Sequence, residues 1–167
     1  DPVAYELDGE GLTLPGVPER FQLETHVCID PQANTALEGL YRASGIFCTQ
    51  CEAQGFRKIT FYPDRPDVMA HFTVTLIGDR ALCPVLLANG NLATSGCLDD
   101  GRHYATFIDP FPKPSYLFAM VAGPLVAIED RFTTTSGRSV KLQIFVEARN
   151  RDKCGHAMVS LKAAMRW

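Results

Sequence analysis

Cys48-Thr49-Gln50-Cys51 is followed directly by Glu52, with Arg57 five residues further on. Two thiols, an amide, a carboxylate and a guanidinium so close together could support several kinds of chemistry. A C-x-x-C pair is half of a zinc knuckle or a redox dithiol. A structural zinc needs four ligands, and the next cysteines, Cys83 and Cys97, enclose thirteen residues instead of forming a second knuckle. A thioredoxin-like dithiol belongs in a βαβ setting, and the flanking sequence here reads as strands. Cys48 and Cys51 are therefore expected to be unpaired thiols that pack as small hydrophobes.

The other chemical candidates read as structure. Pro63-Asp64-Arg65-Pro66-Asp67 carries two acids and an arginine. Its prolines stiffen a turn, and acid–arginine pairs at this spacing lock loops. Arg57 is expected to be a similar internal clamp. No two of His26, His71, His103 and His156 are four apart, so no helical imidazole pair can chelate a metal. Judged on its own, Glu52 is a surface carboxylate. No glycine-rich phosphate loop and no Ser-His-Asp order stands out.

The elements that must position these residues are mostly strands. Residues 70–77 (AHFTVTLI) place Phe72, Val74 and Leu76 on one face and His71, Thr73 and Thr75 on the other, a half-buried strand. Residues 21–29 alternate partly, and 58–62 (KITFY) are β-branched and aromatic. Residues 85–88 and 92–94 flank Asn89-Gly90-Asn91, which predicts a hairpin because Asn-Gly accepts positive φ at little cost. Further strands are expected at 103–108, 116–122, 125–132 and 140–147, with Ser136-Gly137 turning the last pair. Asp109 to Pro114 (DPFPKP) reads as a stiff loop. The fold class expected is all-β, an antiparallel β-sandwich or saddle of sheets with one carboxy-terminal helix. That helix is expected over 152–165, capped by Asp152, with Cys154, Met158, Leu161 and Met165 on one face.

Composition narrows the function classes. A chain of 167 residues, 46% hydrophobic and 21% charged, fits one globular domain. A net charge of −3 gives no electrostatic reason to expect nucleic acid or an anionic membrane as partner. The longest apolar run, 116–128, is too short to span a bilayer and is interrupted by Gly123-Pro124. Asp1-Pro2 opens a polar stretch without the basic and apolar regions of a signal peptide. The expected location is the cytoplasm, with all six cysteines reduced.

Three strings occur in order: NTALEGLYRASG from Asn34, CTQCEAQGFRKITFYPDRPD from Cys48, and DPFPKPSYLFAMVAG from Asp109. Together they resemble the bacterial aminopeptidase N family, zinc-dependent gluzincins that trim residues from peptide amino termini. The resemblance runs from about Pro18 to Trp167. It implies that residues 1–150 are the amino-terminal β domain, partial at its start, and that 151–167 lead towards a catalytic domain. It further implies a substrate-binding pair: Gln50 lining the pocket for the first side chain, and Glu52 binding the free α-ammonium of the peptide. The bond from Glu52 to Ala53 is implied to be cis. Neither H-E-x-x-H nor G-A-M-E-N occurs. The resemblance therefore implies zinc in the longer parent enzyme, with no catalytic or metal-binding residue in this chain, and an inactive isolated piece. The expected partners are a peptide with a free amino terminus and the catalytic domain of the same polypeptide. Alternatives are a free-standing β-sandwich binding module without peptidase activity, and a thiol or zinc module built on Cys48 and Cys51.

Overall fold

The computed structural model describes residues 4–9 and 11–167; the opening Asp1-Pro2 lies outside the described residues. The strands in chain order are β1 (Glu6–Leu7), β2 (Leu12–Thr13), β3 (Gly39–Ala43), β4 (Ile46–Gln50), β5 (Met69–Ala70), β6 (Thr73–Asp79) and β7 (Val85–Ala88). They continue with β8 (Asn91–Cys97), β9 (Arg102–Ile108), β10 (Lys113–Pro114), β11 (Met120–Gly123), β12 (Leu125–Thr133) and β13 (Ser139–Glu147). A single α-helix, α1 (Gly155–Arg166), follows among the described residues. All the strand pairings are antiparallel. One sheet runs β3-β4-β11-β7 and a second β6-β9-β8; β12–β13 is a separate ribbon.

The core lies between the two larger sheets. Leu76, Cys83, Leu86, Ala105, Phe107 and Ala122 are buried together, with Phe47, Val74, Ala88 and Met120 packed on them. β6 shows how alternation builds this layer: Val74 and Leu76 turn inward while Thr73 and Thr75 stay exposed. The all-β reading of the sequence thus describes the molecule, a sandwich of open sheets with one helix at the carboxy end.

Several local expectations fail, each for a non-local reason. Asn89-Gly90 does not join a hairpin, because β7 pairs with β11 and β8 pairs with β9. The turn instead carries the chain from one sheet to the other. The hairpin near the candidate site is β3–β4, turned by Ser44 and Gly45 at φ 52° and 84°. Positive φ at both central residues is the type I′ geometry that matches strand twist. Residues 21–29 form no ladder among the described residues, leaving Phe21, Leu23, Val27 and Ile29 exposed. Residues 58–62 are not a strand either. Phe56–Lys58 wind into a 3₁₀ turn, and burial of Phe56 overrides the β propensity that follows it.

The helix also starts later than expected. Ala148–Lys153 are 3₁₀, and Cys154 stands at the cap position with no side-chain cap bond. Asp152 lies inside the 3₁₀ segment and caps nothing. The Cys154 N–H donates to the Arg151 carbonyl at 3.4 Å, so i→i+3 winding persists up to the helix start. Of the expected apolar stripe, Met158 is buried and Leu161 and Met165 are exposed. An ion pair from Lys162 to Asp130 ties α1 to β12. Among the described residues, no helix is long and apolar enough to cross a membrane.

Candidate functional site

β4 delivers the chemically interesting residues. Its last residue, Gln50, is paired with Gly39 of β3. The chain then buries Cys51 and turns through residues 52–55. The Glu52–Ala53 peptide bond is cis, as the resemblance implies. The Gly55 N–H closes the turn on the Cys51 carbonyl at 2.9 Å. A side chain at Gly55 would stand 2.2 Å from the Gln50 carbonyl oxygen, so only glycine permits this closure.

The structure brings Gln50 and Glu52 together, though not by the alternation of an extended strand. The Gln50 Nε2 donates to the Glu52 main-chain oxygen at 3.4 Å across the turn. Both residues are exposed. The Glu52 carboxylate has no hydrogen-bond or ion-pair partner among the described residues. It borders a depression of about 330 Å³ with Glu38, Arg57 and Lys58, lined also by Ala53, Gln54 and Gly55. Gln50 is not among the residues lining that depression. An unpaired carboxylate on a braced turn can accept a charge-assisted hydrogen bond from a cationic ligand.

Glu38 escapes sequence reasoning, since nothing in NTALEGLYRASG marks it as chemical. The available signal was Asn34, whose Nδ2 donates to the carbonyls of Glu38 and Leu40 at 2.7 and 2.9 Å. Those bonds shape the loop that sets Glu38 beside Glu52, with Leu37 in the left-handed region at φ 59°.

Beneath the turn lies a polar anchor. Asp64 is only 4% exposed and accepts from the Arg57 N–H at 3.0 Å and the Arg57 Nε at 3.4 Å. The Ser115 hydroxyl donates to its other oxygen. Arg57 Nη2 donates in return to the Asp64 carbonyl at 2.8 Å. The sequence reading of Arg57 and of the Pro63–Asp67 cluster as loop locks matches this geometry. The outer pair, Arg65 with Asp67, is exposed and contributes little. Phe56 packs edge-on against Tyr62, Phe72 and Phe118 at ring distances of 5.0, 5.9 and 5.0 Å.

All six cysteines are free thiols. Burial, and secondarily the Asp64 charge, pushes the Cys51 thiol from an ordinary 9.0 up to about 11. Between those values the unfolded chain has released its proton while the folded chain retains it, so stability falls as pH rises from about 9 to about 11. Cys51→Ser is expected to make that alkaline decline shallower in thermal melts at pH 8 to 11. Burial raises Tyr62 and Cys83 in the same direction, so some slope remains. An unchanged slope would contradict the assignment.

The donor set does not fit a resident metal. Among the described residues, no group of three or more His, Cys, Asp or Glu side chains could hold one. Cys48 lies within β4 and Cys51 is buried just beyond its end, and neither belongs to such a group.

Residues 15–117 match the model of the peptidase M1 N-terminal domain family. The chain is 53% identical to aminopeptidase N of Caulobacter vibrioides over 163 residues, covering 98% of the chain and 19% of that relative. To aminopeptidase N of Escherichia coli it is 51% identical over 164 residues, again 98% of the chain and 19% of the relative. The chain therefore spans about a fifth of the length of these curated relatives. Among solved structures, Legionella pneumophila aminopeptidase A in complex with aspartic acid superposes with a TM-score of 0.86 at 36% identity, over 96% of this chain and 19% of that one. An M1 zinc metallopeptidase of Deinococcus radiodurans shares the fold at a TM-score of 0.59 and 22% identity, over 66% of this chain and 25% of that one.

Proposed function

Because the chain belongs to the family of peptidase M1 N-terminal domains, we propose that it is the part of a zinc aminopeptidase that caps the active site and reads the substrate's amino terminus. Glu52 accepts a charge-assisted hydrogen bond from the peptide's α-ammonium, and Gln50 borders the pocket for the first side chain. An exopeptidase must tell a charged terminus from a neutral peptide bond, and a fixed carboxylate does so. The catalytic domain and its zinc belong to the rest of the parent polypeptide, towards which residues 151–167 lead. That enzyme works in the cytoplasm, where the thiols stay reduced. The observation that carries the reading is the exposed Glu52 carboxylate, unpartnered among the described residues, on a turn closed by Gly55 and anchored by Asp64.

In the full-length enzyme, Glu52→Ala is expected to lower kcat/KM for free-amine peptides roughly 10- to 100-fold, from loss of a contact worth about 1.5–3 kcal/mol. Gln50→Ala is expected to change preference among first residues more than overall rate. The check is a paired kinetic series on a free-amine substrate and on its deaminated analogue as inhibitor. The analogue's inhibition constant is expected to stay unchanged. Equal weakening of both ligands by Glu52→Ala would show that the carboxylate does not read the amine.

A further inference from the structure

We propose that Asp64 is a positioning residue for amine recognition, fixing through the Arg57 main chain the turn that presents Glu52. The inference rests on Glu52 reading the amine, as proposed above. The turn is held at two places. Before it, Gln50 is fixed in the ladder to Gly39. After it, the Arg57 N–H is fixed on Asp64 Oδ2 at 3.0 Å. Between them Gly55 closes on Cys51 and the Gln50 Nε2 donates to the Glu52 main-chain oxygen at 3.4 Å, while the Glu52 carboxylate makes no hydrogen bond or ion pair among the described residues. The carboxylate is therefore placed by its turn and by the anchors that hold the turn.

Asp64 is well built for that purpose. Its side chain is 2% exposed, whereas that of Arg57 is 46% exposed. A buried carboxylate is costly unless its lone pairs are filled. Here one oxygen takes two donors of Arg57 and the other takes the Ser115 hydroxyl. Ser115 is 1% exposed and follows β10, where Lys113 pairs with Asp109 at 2.8 Å and lies 4.1 Å from the Phe72 ring centre. The anchor thus reaches from Asp64 to a 3₁₀ turn, Ser115–Leu117, 51 residues away in sequence. A carboxylate that meets its ligand in a fixed place avoids the ordering cost of binding.

The test is a double-mutant cycle in the full-length enzyme. Asp64→Asn keeps the shape and one acceptor but removes the charge. It is expected to raise KM for a free-amine substrate roughly tenfold, with kcat within about twofold, and to leave inhibition by the deaminated analogue unchanged. In a Glu52→Ala background the same substitution is expected to add less than about twofold, because the two residues act as one unit. If Asp64→Asn does not fold, Ser115→Ala carries the test, with a KM rise of roughly two- to fivefold that vanishes in the Glu52→Ala background. An unchanged KM, the same loss with and without Glu52, or equal weakening of the deaminated analogue would overturn the inference. Glu52→Ala alone separates the two readings. If it is silent, the amine reading fails and takes this one with it. If it acts and Asp64→Asn is simply additive, only the positioning role fails.

Discussion

Phe56→Ala is expected to lower the stability of the domain by about 3–5 kcal/mol, the usual loss for deleting a buried phenyl ring. Phe56 is 6% exposed and meets three aromatic rings in edge-to-face arrangement, so its removal leaves a cavity that three neighbours must fill. The neighbours are Tyr62, six residues on, and Phe72 and Phe118 from other stretches, and they cannot collapse together without moving β6 or β11. Phe56 also sits between Gly55 and Arg57, directly after the turn that carries Glu52. For a domain of this size the melting temperature should fall by roughly 6–20 °C. The measurement is urea denaturation beside Phe111→Ala, whose side chain is 73% exposed and whose loss should fall within about 0.5 kcal/mol. Similar midpoints for the two variants would mean that the aromatic cluster does not support the turn.

Gly90→Ala is expected to cost about 2–5 kcal/mol, from about 1–2 for left-handed backbone and about 1–3 for overpacking. Gly90 has φ +90°, and a Cβ there would stand 2.4 Å from the Ile108 carbonyl oxygen and 2.6 Å from the Asp109 nitrogen. Both obstacles are main chain, so no rotamer change relieves them. The turn from β7 into β8 passes against the end of β9, and the two sheets of the core share this crossing. Gly45→Ala is the control: its φ is +84° but nothing lies within 4 Å, so only the backbone cost of about 1–2 kcal/mol applies. Denaturant midpoints of the two variants decide the matter. Equal losses would mean that the close approach at Gly90 carries no energy.

By itself the sequence determined the fold class and the family, and it singled out the pair proposed to meet the substrate. Alternation over 70–77 reports which face of a strand is buried, a property of local backbone geometry. The string from Cys48 to Asp67 carried Gln50 and Glu52, because residue types at fixed spacing survive without knowledge of their neighbours. Tertiary structure alone decided who pairs with whom. Asn89-Gly90 has the chemistry of a hairpin, yet β7 and β8 join different sheets, because β7 pairs with the distant β11 while β8 folds back on the next strand, β9. Residues 58–62 have strand propensity, yet Phe56 draws them into an aromatic cluster that no window of sequence contains. Residues 21–29 alternate, yet alternation specifies a face and not a partner, and no ladder forms there among the described residues. Asp64 reads as one acid in a stiff turn; only folding sets it against Ser115 and makes it the anchor of the turn that presents Glu52. Periodicity and propensity act over a few residues, whereas burial and hydrogen-bond satisfaction are settled by whichever distant group arrives.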